Sequence, residues 1–186
     1  MHTVTVNRRA AGRLERGHPW VFRSDLEGAP EAPPGCLVRV QLASGKPLGT
    51  AHYSSTSQIA LRMLAERDAA VDEAFLSQRL AAAIALRERV VRDSDSCRVV
   101  YGEADFLPGL VVDRYADCLA IQTLSQGMDA PQPLIVKALG DLLHPRAIVE
   151  KNEVHSRTLE GLPPRSGVLA GALDGAVTIA LNGLRF

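Results

Sequence analysis

At 186 residues, with 46% hydrophobic and 23% charged residues, the chain is long enough for one large domain or two small ones, and it has the make-up of folded globular material. No apolar run approaches the roughly 18 residues that span a bilayer, the start MHTVTVNRRAAG lacks the apolar stretch of a secretory signal, and three widely spaced cysteines, Cys36, Cys97 and Cys118, give neither a disulfide framework nor a Cys-x-x-Cys zinc pair, so a cytoplasmic location without membrane contact is expected. The formal net charge of zero conceals an asymmetry, because residues 1–67 carry nine Lys/Arg against five Asp/Glu, a surplus of +4, which leaves −4 for the remainder.

Val4 and Val6 alternate with polar residues as a short strand does. Asn7 then occupies the N-cap position ahead of the helical stretch RRAAGRLERG. Gly17 is a natural stop for that helix, Pro19 keeps the chain from continuing it, and Trp20-Val21-Phe22 begins an extended apolar segment. The stretch GAPEAPPG, with three prolines in eight residues, is a loop. Residues 36–40, 47–53 and 58–64 alternate as the strands of a small β-barrel do, with Ser44-Gly45-Lys46 as the turn between the first two. This first domain spans 1–67.

Residues 71–91 hold no Gly or Pro and place Leu76, Leu80 and Ile84 at i, i+4, i+8, which predicts one long helix of about 30 Å. It opens a second domain, 68–186. Strands are expected at 98–101, 110–115 and 118–123, separated by GEADFLPG and by Ala116-Asp117. A helix over 131–143 follows, with Pro131 in the tolerated first turn, and then a strand over 147–150. Antiparallel strands plus helices make this an α+β domain, so the fold class of the whole is mixed α/β. Residues 168–173 and 176–180 are expected to pair about Asp174-Gly175. Asn182-Gly183 is another hairpin turn, and the strand it launches holds only Leu184-Arg185-Phe186, where a strand usually has about five or six residues. The chain therefore reads as ending inside a structural element, as a truncated chain or split gene would, the alternative being a short, frayed terminal strand.

Basic residues comprise 18 arginines and three lysines, and guanidinium suits bidentate phosphate contacts, although GC-rich codon usage also favours it. Arg9, Arg13 and Arg16 fall at i, i+4, i+7 on one helix face. Just beyond lie His18, Trp20 and Arg23, a base-stacking ring with further cations. The bland alternative is a core tryptophan beside solvated arginines. Five arginines within 23 residues holding one acid, Glu15, weigh against it. The cluster His52-Tyr53-Ser54-Ser55-Thr56-Ser57 offers hydroxyls to phosphate but is equally an ordinary loop. Glu103, Asp105 and Asp113 invite an acid/base reading, yet the first two sit in a Gly/Pro turn where acids are common. His18, His52 and His144 lack ligand spacing, so no catalytic, cofactor-binding or metal residue is assigned.

The segment from Gly12 to Phe22, GRLERGHPWVF, followed by Leu48-Gly49 and Ile59-Ala60-Leu61-Arg62, resembles the N-terminal PUA domain of the RlmI-like family, SAM-dependent methyltransferases acting on carbon 5 of a cytosine in large-subunit ribosomal RNA. The run from Gly102 to Tyr115, GEADFLPGLVVDRY, resembles that family's small α/β domain. Lys151-Asn152-Glu153, Arg157, Glu160-Gly161-Leu162 and Asn182-Gly183-Leu184-Arg185-Phe186 continue the match. Leu181 departs from it, where the family usually has glutamate. In the family, a Gln-Lys-Thr-Gly stretch, a Rossmann-like SAM-binding domain and the nucleophilic cysteine come after the region matched here. The resemblance thus implies a chain that lacks the C-terminal methyltransferase domain, is inactive alone and binds ribosomal RNA, with SAM belonging to the full-length member; no cysteine here matches the catalytic one. Arg13 and Arg16 are the expected phosphate contacts, His18 and Trp20 lie near bases or shape the turn, and Arg9 and Arg23 assist. Two alternatives stand beside this: a stand-alone RNA-binding or assembly protein, and a second domain that serves as a homodimerisation or docking surface, supplied by edge pairing of short Val-rich strands near the C-terminus.

Overall fold

A computed structural model describes residues 1–186. The alternation at Val4/Val6 and Val38/Val40 turns one face of each strand inward. β1 (His2–Val6) runs parallel to β3 (Leu37–Leu42) with Val4 opposite Val40. β3, β4 (Pro47–Tyr53) and β5 (Ile59–Ala65) form an antiparallel meander, and β2 (Trp20–Phe22) adds to β5, giving the order β1-β3-β4-β5-β2. The outer edge of β1 is covered, because Asn7 N–H donates to the Asp25 carbonyl and Glu27 N–H to the Thr5 carbonyl, both at 2.9 Å. The segment after β2 thereby closes the sheet on itself, as the barrel expectation required. Gly49 serves this closure: at φ +132° it lies so near β5 that a Cβ would stand 2.1 Å from the Ala65 carbonyl oxygen.

α1 (Arg8–Leu14) starts where Asn7 Oδ1 accepts from Ala10 N–H at 2.9 Å. It stops through Gly17 N–H to Leu14 and His18 N–H to Arg13, with Gly17 at φ +83°. Ala10 of α1 joins Val21, Val40, Ala51 and Leu61 in the interior of this sheet.

A separate core lies under the second sheet, ordered β10-β9-β8-β7-β6. Its strands are β6 (Cys97–Tyr101), β7 (Leu110–Tyr115), β8 (Cys118–Thr123), β9 (Ala147–Lys151) and β10 (Ser166–Gly171). α2 (Glu73–Val90), capped by Asp72 Oδ1, buries Leu76, Leu80 and Ile84, and the later helix Gln132–Leu143 adds Ile135, Ala138 and Leu139. Two short helices the sequence reading did not find are Gln126–Asp129, capped by Ser125, and His155–Leu159. In chain order they are α3 and α5, with α4 (Gln132–Leu143) between them.

Two expectations are corrected. The second sheet is not wholly antiparallel: α3 and α4 carry the chain across, so β9 returns parallel to β8 with Leu119 opposite Ile148. Residues 168–173 and 176–180 do not pair about Asp174-Gly175. β10 instead adds to β9 from Ser166 to Gly171, and the chain then leaves the sheet. Ala180 is taken by Asp95, whose N–H donates to its carbonyl at 3.1 Å and whose carboxylate accepts from its N–H at 2.9 Å. A two-stranded hairpin is marginal alone, and existing partners outbid its turn signal. The Asn182-Gly183 turn does form, with both residues at positive φ, pairing β11 (Ala180–Leu181) with β12 (Leu184–Arg185).

Candidate nucleic-acid interface

Asp25 organises the basic helix. Its buried carboxylate accepts from Arg9 at 3.0 and 2.7 Å, from Asn7 Nδ2 at 3.2 Å and from the Arg13 guanidinium. Burial would raise this carboxyl, but the bonds from Arg13, Arg9 and Asn7 prevail and hold it at about 2. Arg13 also lies 5.5 Å from the centroid of the Phe22 ring. It is consequently mostly covered, whereas Arg9 keeps 68% of its side chain exposed while gripping the same carboxylate. Arg16 is exposed, without an acidic partner.

Arg23 turns inward and donates to the Ser54 carbonyl at 2.7 Å and the Ser57 carbonyl at 2.7 and 3.1 Å, fixing the serine-rich loop from below. His18 Nδ1 lies 3.2 Å from both the amide nitrogen and the carbonyl oxygen of Trp20, and the two rings meet edge to face at 5.8 Å. Trp20 Nε1 donates to Glu103 Oε1 at 2.8 Å, which ties the first sheet to the Gly102–Asp105 turn of the second. Of the six residues singled out in the sequence, Arg9 and Arg16 present charge to solvent. Arg13, Arg23 and Trp20 mainly hold the surface together, and His18 lines a cleft of about 620 Å³ beside the end of α1.

The seam between the two sheets uses residues the sequence reading had not weighed as a group. Gln126 Oε1 accepts from Ser55 N–H at 2.9 Å, and its amide donates to the Glu160 carbonyl at 2.6 Å. Arg62 pairs with Glu160 at 2.9 Å, both largely buried. His52 packs against Gly127 so closely that a Cβ there would stand 2.2 Å from its Cγ. Loss of water pushes the His52 imidazole down to about 4, aided by the Arg62 charge, so it is neutral near pH 7. No periodicity flags these positions, since each is a single polar residue on a different element.

Behind the seam, Arg157 is fully buried, donating to Asp129 at 2.8 Å, to Thr123 Oγ1 at 3.1 Å and to the Pro163 carbonyl at 3.1 Å. Arg165 adds to Asp129 at 2.7 Å and to Glu150 at 3.2 Å, while Asn152 donates to Glu150 at 2.9 Å. Burial raises the Asp129 and Glu150 carboxyls, but these partners prevail and keep both below the usual range. The polar residues Asn152, Arg157 and Glu160 of the later motif are thus spent on internal bonds. Glu103 is bound to Trp20, Asp105 to Arg87 and Asp113 to Arg98. All three cysteines are free thiols, and no group of His, Cys, Asp and Glu is placed to hold a metal ion. No helix is long and apolar enough to cross a membrane.

Residues 4–66, which include the basic helix and the closed sheet, match the PUA-like domain family. Over 177 residues the chain is 37% identical to "Ribosomal RNA large subunit methyltransferase I" of Shewanella amazonensis, a match covering 92% of this chain and 45% of that protein. Over its own length the chain resembles the RlmI-like proteins. A second RlmI-like relative, from Pseudoalteromonas translucida, is 36% identical over 183 residues, covering 94% of this chain and 46% of its own length. The chain therefore spans under half the length of the curated relatives it matches. Among solved structures, a putative SAM-dependent methyltransferase from Streptococcus mutans superposes with a TM-score of 0.84 at 17% identity, covering all of this chain and 48% of that one. A putative methyltransferase complexed with SAH gives 0.85 at 17% identity, covering all of this chain and 47% of that one. Both share the fold.

Proposed function

We propose that this chain is the RNA-recognition portion of a SAM-dependent ribosomal RNA cytosine-C5 methyltransferase, with residues 1–67 as an RNA-binding PUA unit and 68–186 as a central α+β unit that positions the RNA. One observation carries the reading: the residues that match the PUA-like family also hold the basic helix, in a chain 37% identical to a ribosomal RNA methyltransferase. Arg16 and Arg9 contact phosphate, Arg13 and Arg23 hold the surface that presents them, and His18 and Trp20 shape the turn beside it.

Methyl transfer is not assigned to residues within this chain. A dinucleotide- or SAM-type cradle needs a glycine-rich turn between a parallel strand and a helix. Here, of the one parallel pair of the second sheet, β8 leads into α3 with a single glycine, Gly127, packed against His52, and β9 ends in Lys151-Asn152-Glu153-Val154, without glycine and with Asn152 buried in hydrogen bonds. The residues present do not fit SAM, and no step is derived through it.

The test is fluorescence-anisotropy binding to fragments of large-subunit ribosomal RNA over a salt series. Arg16→Ala is expected to weaken binding and lower the slope of log K against log salt by about one, with little effect on stability. Unchanged affinity and slope in an Arg9→Ala/Arg16→Ala double variant would remove α1 and the turn after it from the RNA-binding surface.

A further inference from the structure

We propose that the cleft between the end of α1, strands β4 and β5, and the Gly102–Asp105 turn takes one unpaired RNA nucleotide, its base stacked on Phe106 and its phosphate met by Arg79 and Arg67. This rests on the RNA-recognition reading above and adds a subsite to it. The cleft measures about 620 Å³, within the range of roughly 300 to 1,000 Å³ typical of small-ligand sites, and His18, Lys46, Met63, Arg67, Arg79 and Phe106 line it.

Phe106 is the decisive residue. It sits at φ +57°, ψ +29°, in the left-handed region, where a bulky non-glycine residue is an outlier. Its own N–H to Glu103 at 3.1 Å and the Leu107 N–H to Gly102 at 3.0 Å form a stop in which glycine is the usual occupant. The next residue, Leu107, is fully buried, so the turn already has its apolar anchor. Phe106 takes the strained position and is still 63% exposed as a residue. Strain retained at a displayed aromatic side chain points to a contact outside the fold.

The surrounding charges select the class of ligand. Arg79 lies 5.0 Å from the Phe106 ring centroid and 5.2 Å from that of Phe75, and its one hydrogen bond is a 3.5 Å contact to the Leu64 carbonyl. Arg67 is exposed and makes no ion pair. Lys46 is matched by Glu15 at 2.8 Å, and Glu66 is a second acid on the wall. The lining therefore carries a small positive excess, enough for a single phosphodiester and not for a strongly anionic groove. A base within a duplex has both faces covered by its neighbours, so only an unpaired one can stack on Phe106.

The test compares short oligo(U) and a blunt RNA duplex as probes, using the full chain and its Phe106→Gly, Phe106→Tyr and Arg16→Ala variants. Phe106→Gly removes ring and strain together, so its thermal midpoint is expected to hold or rise while oligo(U) affinity falls roughly fivefold or more. Duplex affinity should be unchanged, and Phe106→Tyr should bind oligo(U) like the wild type. Undiminished oligo(U) binding by Phe106→Gly, with Arg16→Ala still weakening it, overturns the stacking site and leaves the RNA-recognition reading intact. Failure of the wild type to bind either probe defeats that reading and the subsite with it.

Discussion

Acid should loosen the seam between the two sheets through one side chain, His52. The imidazole is 5% exposed, faces Gly127 across the seam and lies beside Arg62, which is itself paired with Glu160. An unfolded histidine titrates near 6.5, whereas this one is depressed to about 4. The folded state therefore binds fewer protons than the unfolded state between these values, and stability falls as pH drops through that window. Each pKa unit corresponds to about 1.4 kcal/mol, so the cost is about 2 kcal/mol by pH 5 and about 3 kcal/mol by pH 4. Urea unfolding followed by Trp20 emission is a direct assay, because this single tryptophan bonds to Glu103 on the other side of the seam. A His52→Gln variant cannot titrate there, so its stability deficit relative to wild type should shrink by about 2 kcal/mol between pH 7 and pH 5. Parallel stability profiles for the two proteins over that range would refute the reasoning.

Three further expectations concern the same scaffold. Gly127→Ala places a methyl group inside the His52 ring position and should cost about 1 to 3 kcal/mol in thermal or urea unfolding; an unchanged midpoint would mean that the seam is looser than described. Arg13→Ala strips one partner from the buried Asp25 and should cost about 1 to 3 kcal/mol, while Arg16→Ala should stay within about 0.5 kcal/mol, so equal losses in urea would contradict the division of roles along α1. Arg157→Met removes the buried guanidinium that bonds Thr123, Asp129 and the Pro163 carbonyl, and a loss of about 3 kcal/mol or more is expected; near-native stability on calorimetry would show that Arg165 suffices for Asp129.

Local signals made much of the fold readable. Asn7 and Gly17 bracket α1, Leu76-Leu80-Ile84 give the buried stripe of α2, and the turns at Ser44-Gly45 and Asn182-Gly183 stand where their backbone preferences put them. Where two local signals competed for one partner, reading failed. Asp174-Gly175 has the composition of a hairpin turn, but the Ala180 that it would pair is held by Asp95, which is 85 positions away in sequence. Helices of four and five residues, α3 and α5, are too short to show a period. The parallel return of β9 was hidden for a different reason, since direction within a sheet depends on the crossover and not on the strand's own residues.

The candidate surface was legible as composition and not as roles. Helical spacing put Arg9, Arg13 and Arg16 on one face; Arg9 and Arg13 do meet at Asp25, but α1 ends at Leu14 and Arg16 falls in the turn after it. Spacing says nothing about Asp25, twelve residues beyond Arg13, which consumes much of that charge inside the fold. Phe106 is harder still, because its importance lies in a backbone angle that no side-chain pattern encodes.

Gln126 gives the seam a property that bears on how such proteins are rearranged. Its side chain meets Ser55 and the Glu160 carbonyl, while its own carbonyl lies so near Gly35 that a Cβ there would stand 2.7 Å away. The two halves are thus keyed by direction-dependent bonds and a backbone fit, unlike a greasy patch that tolerates sliding. A chimera exchanging the first 67 residues for those of a distant homologue would have to carry over a matched set, residues 20, 35, 52–56 and 62 on one side with 103, 126, 127 and 159–160 on the other, or the halves would meet at the wrong angle.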